Sequence, residues 1–84
     1  MTSVEIYTTA TCYYCHAAKQ LLRKKGVKYT EIDVGADPES RRAMTKLAGG
    51  SRTVPQIFIG GKHIGGCDDL HALDHEGGLD PLLN

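Results

Sequence analysis

The change of hydrophobic period along the first third of the chain constrains its fold more than any other feature. Ser3-Val4-Glu5-Ile6-Tyr7 alternates with period two and carries β-branched and aromatic residues, the pattern of a strand with one buried face. After the polar connection Thr8 to Thr11 the spacing turns helical from Cys12. Tyr14, Ala17, Ala18, Leu21 and Leu22 fall on one side, Lys19, Arg23 and Lys24 on another. Lys24 and Lys25 suit the negative end of that helix, and Gly26 suits its C-terminal cap. Val27 to Asp33 returns to alternating apolar and β-branched positions and is predicted to be a second strand. Strand, helix, strand implies a parallel pair joined by a right-handed crossover.

The rest of the chain is punctuated just as plainly. Asp37-Pro38-Glu39 supplies an N-cap oxygen, a proline at the first helical position and an acid in the first turn. That second helix is predicted to run to Leu47 or Ala48, where Gly49 and Gly50 end it. Gln56 to Ile59, then Gly60-Gly61, then Lys62 to Ile64 reads as a hairpin about a glycine pair. Beyond Gly65-Gly66 a third helix, Cys67 to Glu76, sets Leu70 and Leu73 on one face and closes at Gly77-Gly78; Asp80-Pro81 offers one last helical turn. The expected order is β-α-β-α-β-β-α, an α/β domain with a four-stranded mixed sheet and helices on both faces. With 84 residues there is room for one domain, 1–84, and 40% hydrophobic residues suffice for it to fold unaided.

Charge narrows the function classes. Ten Lys plus Arg balance ten Asp plus Glu, so the basic footprint of a nucleic-acid binder is absent. The charges are segregated all the same: through Lys62 the balance is +5, and beyond it five acids stand with no base. Such a dipole could orient a charged ligand, or could reflect an acidic helix lying beside a basic one. No run approaches the roughly 20 apolar residues that span a bilayer, so no membrane role is expected. Three cysteines are too few and too odd in number for a secreted disulfide scaffold, and Thr2-Ser3 is no signal core, so a reducing cytoplasm is expected.

Two motifs carry chemistry. Cys12-Tyr13-Tyr14-Cys15 stands at a strand-to-helix junction, where free amides and the positive end of the helix dipole stabilise a thiolate. Cys12 is the exposed candidate, and Cys15, nearly a turn further in, is close enough to form a disulfide yet shielded. The alternative is half a zinc site completed by His63 and Cys67, but a second Cys-x-x-Cys is missing and the gap is unlike a compact finger. Thr53-Val54-Pro55 precedes the third strand; a cis Pro55 would turn the Thr53 and Val54 backbone outward to pair with an extended peptide, whereas turn chemistry alone also explains a proline there.

Taken together, Cys-Tyr-Tyr-Cys after the first strand, Thr-Val-Pro before the third and Gly65-Gly66-Cys67-Asp68-Asp69-Leu70 at the third helix resemble the glutaredoxins, over nearly the whole chain. The resemblance implies a thioredoxin fold, glutathione as cofactor and thiol-disulfide exchange, with glutathionylated or disulfide-containing proteins as partners and a monomer expected. By the same resemblance Cys12 is the nucleophile, Cys15 the resolving thiol, and Tyr14, Thr53, Val54, Pro55, Gly66, Cys67 and Asp68 hold glutathione. Free amides at Gly66 and Cys67 would take the γ-glutamyl carboxylate and Asp68 its ammonium group, while Asp69 would point elsewhere.

The chain departs from the family twice. Tyr13 stands where the family commonly has proline, which bears on the rigidity and potential of the active-site turn. Thr9 stands where the family often has lysine, so the cation for the glycyl carboxylate must come from elsewhere. Arg41 is the candidate, with Arg42 beside it, against the plain reading of a solvated helix face. Cys67 also reads as a buried space-filler. The competing function is a homodimeric carrier of a glutathione-ligated [2Fe-2S] cluster, which would absorb visible light as a dithiol does not.

Overall fold

In the computed structural model, which describes residues 2–84, the alternating segment forms β1 (Val4–Thr8). Its pattern sorts the side chains: Val4, Ile6 and Thr8 are buried, and Glu5 and Tyr7 are partly so. β1 pairs in parallel with β2 (Thr30–Asp33) and antiparallel with β3 (Gln56–Ile59), which pairs antiparallel with β4 (Lys62–Gly65). The sheet order is therefore β2-β1-β3-β4, mixed as the crossover and the hairpin require. The helices are α1 (Tyr13–Lys24), α2 (Pro38–Leu47), α3 (Cys67–His75) and α4 (Leu79–Leu83).

The register of β1 on β3 sets Val4, Ile6, Ile57 and Ile59 on one face, where they meet Ala18, Leu21 and Leu22 of α1, Cys67 and Leu70 of α3, and Leu79 of α4. Each aliphatic side chain buried this fully contributes about 1.5–3 kcal/mol. Phe58 lies on the opposite face, with the Tyr7 ring edge-on at 5.6 Å, and α2 contributes the fully buried Met44 outside the first cluster. Lys25 bridges Asp74 at 2.7 Å and Asp80 at 2.9 Å, so part of the charge segregation is an acidic pair of helices held by the end of a basic one. Among the described residues no helix is long and apolar enough to cross a membrane.

Several boundaries differ from the sequence reading. The first strand begins at Val4, not Ser3, and ends at Thr8, and α4 adds an eighth element where a single turn was expected. The second strand begins at Thr30 rather than Val27, for a local reason. The Gly26 amide donates to Arg23 O at 2.9 Å and the Val27 amide to Leu22 O at 3.3 Å, so Val27 completes the closure of α1 and its donor is lost to any strand. Gly26 has φ 73°, a conformation that a β-carbon would oppose. The same pair of bonds closes α2 at Gly49-Gly50 and α3 at Gly77-Gly78.

Candidate functional site

The β1–α1 connection makes Cys12 the N-cap of α1, with φ −85° and ψ 115°, so its side chain turns back over the first turn. The Cys15 amide donates to Cys12 Sγ at 3.2 Å, and the Cys12 thiol reaches the Val54 carbonyl oxygen at 3.7 Å. Cys12 is partly exposed and Cys15 only 1% exposed; both are free thiols. Burial, then the hydrogen bond with the Cys12 side chain, pushes the Cys15 thiol up to about 12. Cys15 therefore keeps its proton at neutral pH, and of this pair Cys12 is the sulfur open to solvent. Iodoacetamide at about pH 8 should add one label, on Cys12, because the Cys67 thiol is likewise raised by burial and by the Asp68 carboxylate; a second label on Cys15 under native conditions would contradict this assignment.

The raised Cys15 value also has a thermodynamic sign. The folded state holds this proton to higher pH than the unfolded chain does, so the contribution to stability is complete below the ordinary value of 9.0 and is lost as pH rises towards about 12. Urea unfolding at increasing pH should show wild type losing more stability across that window than Cys15→Ser.

The Val54-Pro55 peptide bond is cis, the isomer expected from Thr-Val-Pro. Beside it lies a cleft of about 420 Å³ that gathers seven of the eight residues expected to hold a ligand: Tyr14, Thr53, Val54, Pro55, Gly66, Cys67 and Asp68. Tyr14 is 58% exposed, not part of the apolar helix face, because the first turn of α1 overhangs the cleft instead of the core. Arg41 is not brought there. Its guanidinium donates to the Arg52 carbonyl at 2.9 Å, which ties α2 to the loop ahead of Thr53. The zinc alternative finds no support in the geometry: His63 bonds to Gln56, Cys67 lies against His71, and among the described residues no cluster of His, Cys, Asp and Glu is arranged around a metal position.

The far wall of the cleft is the start of α3, with Gly66 as N-cap. Here the structure corrects the role of Asp69. Its Oδ2 accepts the Gly66 amide at 3.0 Å, so it caps the helix, and the Gly66 donor is already occupied. The amides of Cys67, Asp68 and Asp69, in the first turn of α3, are without intrahelical partners, the first helical bond running from the Leu70 amide to Gly66 O. Cys67 itself belongs to the core cluster, and His71 Nδ1–H donates to its carbonyl at 2.9 Å.

Sequence reasoning missed the support behind the Thr53 wall. Gln56 is 3% exposed; its Nε2 donates to Ser51 Oγ and Thr53 O, both at 3.0 Å, and its Oε1 accepts His63 Nε2–H at 2.7 Å. The carboxamide is thus fully used in holding the cleft backbone. The available signal was a glutamine at the head of the apolar run Ile57-Phe58-Ile59, directly after the proline.

The glutaredoxin family model matches residues 4–64. The chain is 58% identical over 83 residues to Glutaredoxin 3 of Escherichia coli strain K12, covering 99% of each. The solution structure of glutaredoxin from Brucella melitensis superposes with a TM-score of 0.87 at 54% identity, covering 99% of this chain and 89% of that one. The crystal structure of a buckwheat glutaredoxin-glutathione complex gives a TM-score of 0.88 at 34% identity, covering 98% of this chain and 76% of that one.

Proposed function

This chain belongs to the glutaredoxin family of thiol-disulfide oxidoreductases, and we propose that its reaction is the reduction of protein-glutathione mixed disulfides and of protein disulfides, with glutathione as reductant. Its mixed four-stranded sheet with helices is the thioredoxin fold of those relatives. The observation that carries the proposal is the contact of Cys12 Sγ with the Val54 carbonyl, which sets the attacking sulfur at the edge of the cleft that gathers the expected glutathione residues.

In the monothiol route the Cys12 thiolate attacks the glutathione sulfur of the mixed disulfide. The protein thiolate leaves and takes up a proton, and Cys12 carries glutathione. A second glutathione thiolate attacks that sulfur, releasing glutathione disulfide and restoring Cys12. In the dithiol route Cys12 opens a protein disulfide, Cys15 attacks the Cys12 sulfur, and two glutathiones reduce the resulting Cys12–Cys15 bond. Cys15 must first lose its proton. Part of what holds that proton is the Cys12 side chain itself, and this part disappears once Cys12 is consumed in the mixed disulfide. A pair that cycles through free thiols belongs in a reducing compartment, and we place the protein in the cytoplasm.

For the ligand, the Cys67 and Asp68 amides would receive the γ-glutamyl carboxylate and the Asp68 carboxylate its ammonium group. Asp68→Ala should raise the KM for glutathione about tenfold with little change in stability, the loss of one partly exposed charge-assisted hydrogen bond. Asp69→Ala should instead lower stability by about 1 kcal/mol, as loss of a helix cap does. Steady-state kinetics at varied glutathione, with thermal melts of both variants, test the assignment; a larger KM effect for Asp69→Ala at unchanged stability would place the γ-glutamyl group elsewhere.

A further inference from the structure

Away from the cleft, α2 and the loop that follows it enclose a second groove of about 510 Å³, lined by Arg41, Arg42, Lys46 and Arg52 and by no acidic residue. None of these cations is held in an ion pair among the described residues, although the Asp37 carboxylate at the head of α2, lowered chiefly by its hydrogen bonds with Ser40, is lowered also by nearby Arg42. Among the described residues the ion pairs lie elsewhere, Lys19 with Glu31 and Lys25 with Asp74 and Asp80. Arg41 spends its hydrogen bond on the neutral Arg52 carbonyl and keeps its charge. Arg42 and Lys46 stand four residues apart on α2, where like charges repel and weaken the helix. The groove adjoins the reaction site through Arg52, the residue before Thr53. At the other end of the cleft stand Asp68 and Asp69. An extended chain crossing the site thus meets positive charge on the α2 side and negative charge on the α3 side.

We propose that the α2 groove docks an acidic segment of the glutathionylated protein next to the mixed disulfide, an inference that rests on the reaction proposed above. Complementary charge of this kind speeds encounter and fixes orientation. A phosphate backbone fits less well, since the acids at the far end of the cleft would repel its continuation.

The test uses the full chain and three substrates: the mixed disulfide of glutathione with 2-mercaptoethanol, and two peptides glutathionylated on one cysteine that differ only in glutamates against glutamines on one side of it. Wild type should favour the glutamate peptide in kcat/KM by about tenfold at low salt, and the preference should shrink as ionic strength rises. Lys46→Glu/Arg52→Glu should remove that preference while turnover of the small mixed disulfide stays within about twofold. The Lys46→Glu change sets opposite charges four residues apart with Arg42 but puts an acid in the last turn of α2, two effects that offset one another, and activity on the small substrate reports that the variant is folded. Equal kcat/KM for the two peptides in wild type, or a preference retained in the double variant, would overturn the docking proposal. Stronger inhibition of the glutamate peptide's turnover by a single-stranded oligonucleotide than by a glutamate peptide lacking the cysteine would overturn it in favour of nucleic acid. Failure of wild type on the small mixed disulfide would instead overturn the reaction, so the two failures are told apart.

Discussion

Cys12→Ser is expected to abolish turnover on every disulfide substrate, a loss of at least about three decades, because a hydroxyl is a far poorer nucleophile than a thiolate and no other sulfur is placed to substitute. Cys15 is buried with its thiol pushed up to about 12, and Cys67 is part of the core. Cys15→Ser should behave differently. The donor to Cys12 Sγ is the backbone amide of residue 15, which serine retains, so the geometry at Cys12 survives. That variant should reduce glutathione mixed disulfides within a few-fold of wild type and lose activity on substrates that require an intramolecular Cys12–Cys15 bond. Parallel assays on a small glutathione mixed disulfide and on a protein disulfide separate the two routes. Appreciable turnover by Cys12→Ser would end the assignment of Cys12, and loss of both activities in Cys15→Ser would end the monothiol route.

Gly65→Ala should destabilise the protein by about 2–4 kcal/mol, the sum of backbone strain and a lost helix cap, against a total stability on the order of 5–15 kcal/mol. Gly65 sits at φ 119°, where a side chain is strained whatever space surrounds it, and a β-carbon there would run into the Asp69 carboxylate. That carboxylate holds the Gly66 amide, so the collision uncaps α3 at the wall of the cleft and should weaken glutathione binding as well. The position follows from the sheet: β3 pairs Ile57 with Gly65 and Phe58 with His63, leaving Ile64 as a bulge that turns the chain towards the helix. In Gly65→Ala/Asp69→Ala the collision is gone but the strain remains, so the double variant should be less destabilised than the sum of the singles. Urea denaturation of the three variants tests this; strict additivity would mean that the two side chains do not meet.

Much of the architecture was legible because its signals act over a few residues. Asp37 caps α2 through the Glu39 amide, at 3.1 Å, as Asp37-Pro38-Glu39 indicates, and Gly60-Gly61 turns β3 into β4. The Cys-x-x-Cys pair is likewise local, since a strand end followed by a helical period places it at an N-cap from spacing alone. Where the sequence reading went astray, a nearby backbone partner that hydrophobic spacing does not reveal had already taken the group in question. Val27 looked like strand until its amide closed α1, and Asp69 looked idle until its carboxylate met the Gly66 amide.

By itself, then, the order of the residues determined element type, most boundaries, the parallel crossover and the placing of the Cys-x-x-Cys pair at a helix start, because hydrogen-bond closure, capping and hydrophobic period are settled within about one or two turns of chain. Tertiary structure alone decided that Tyr14 overhangs a cleft instead of packing inward, that Arg41 bonds to the Arg52 carbonyl, that Gln56 joins His63 to Thr53, and that burial separates Cys15 from Cys12 in reactivity. Each of these depends on which surface a side chain meets after the sheet has brought distant segments together. A polar group's role is fixed by the partner it finds there, and that partner lies outside the group's own helix or strand.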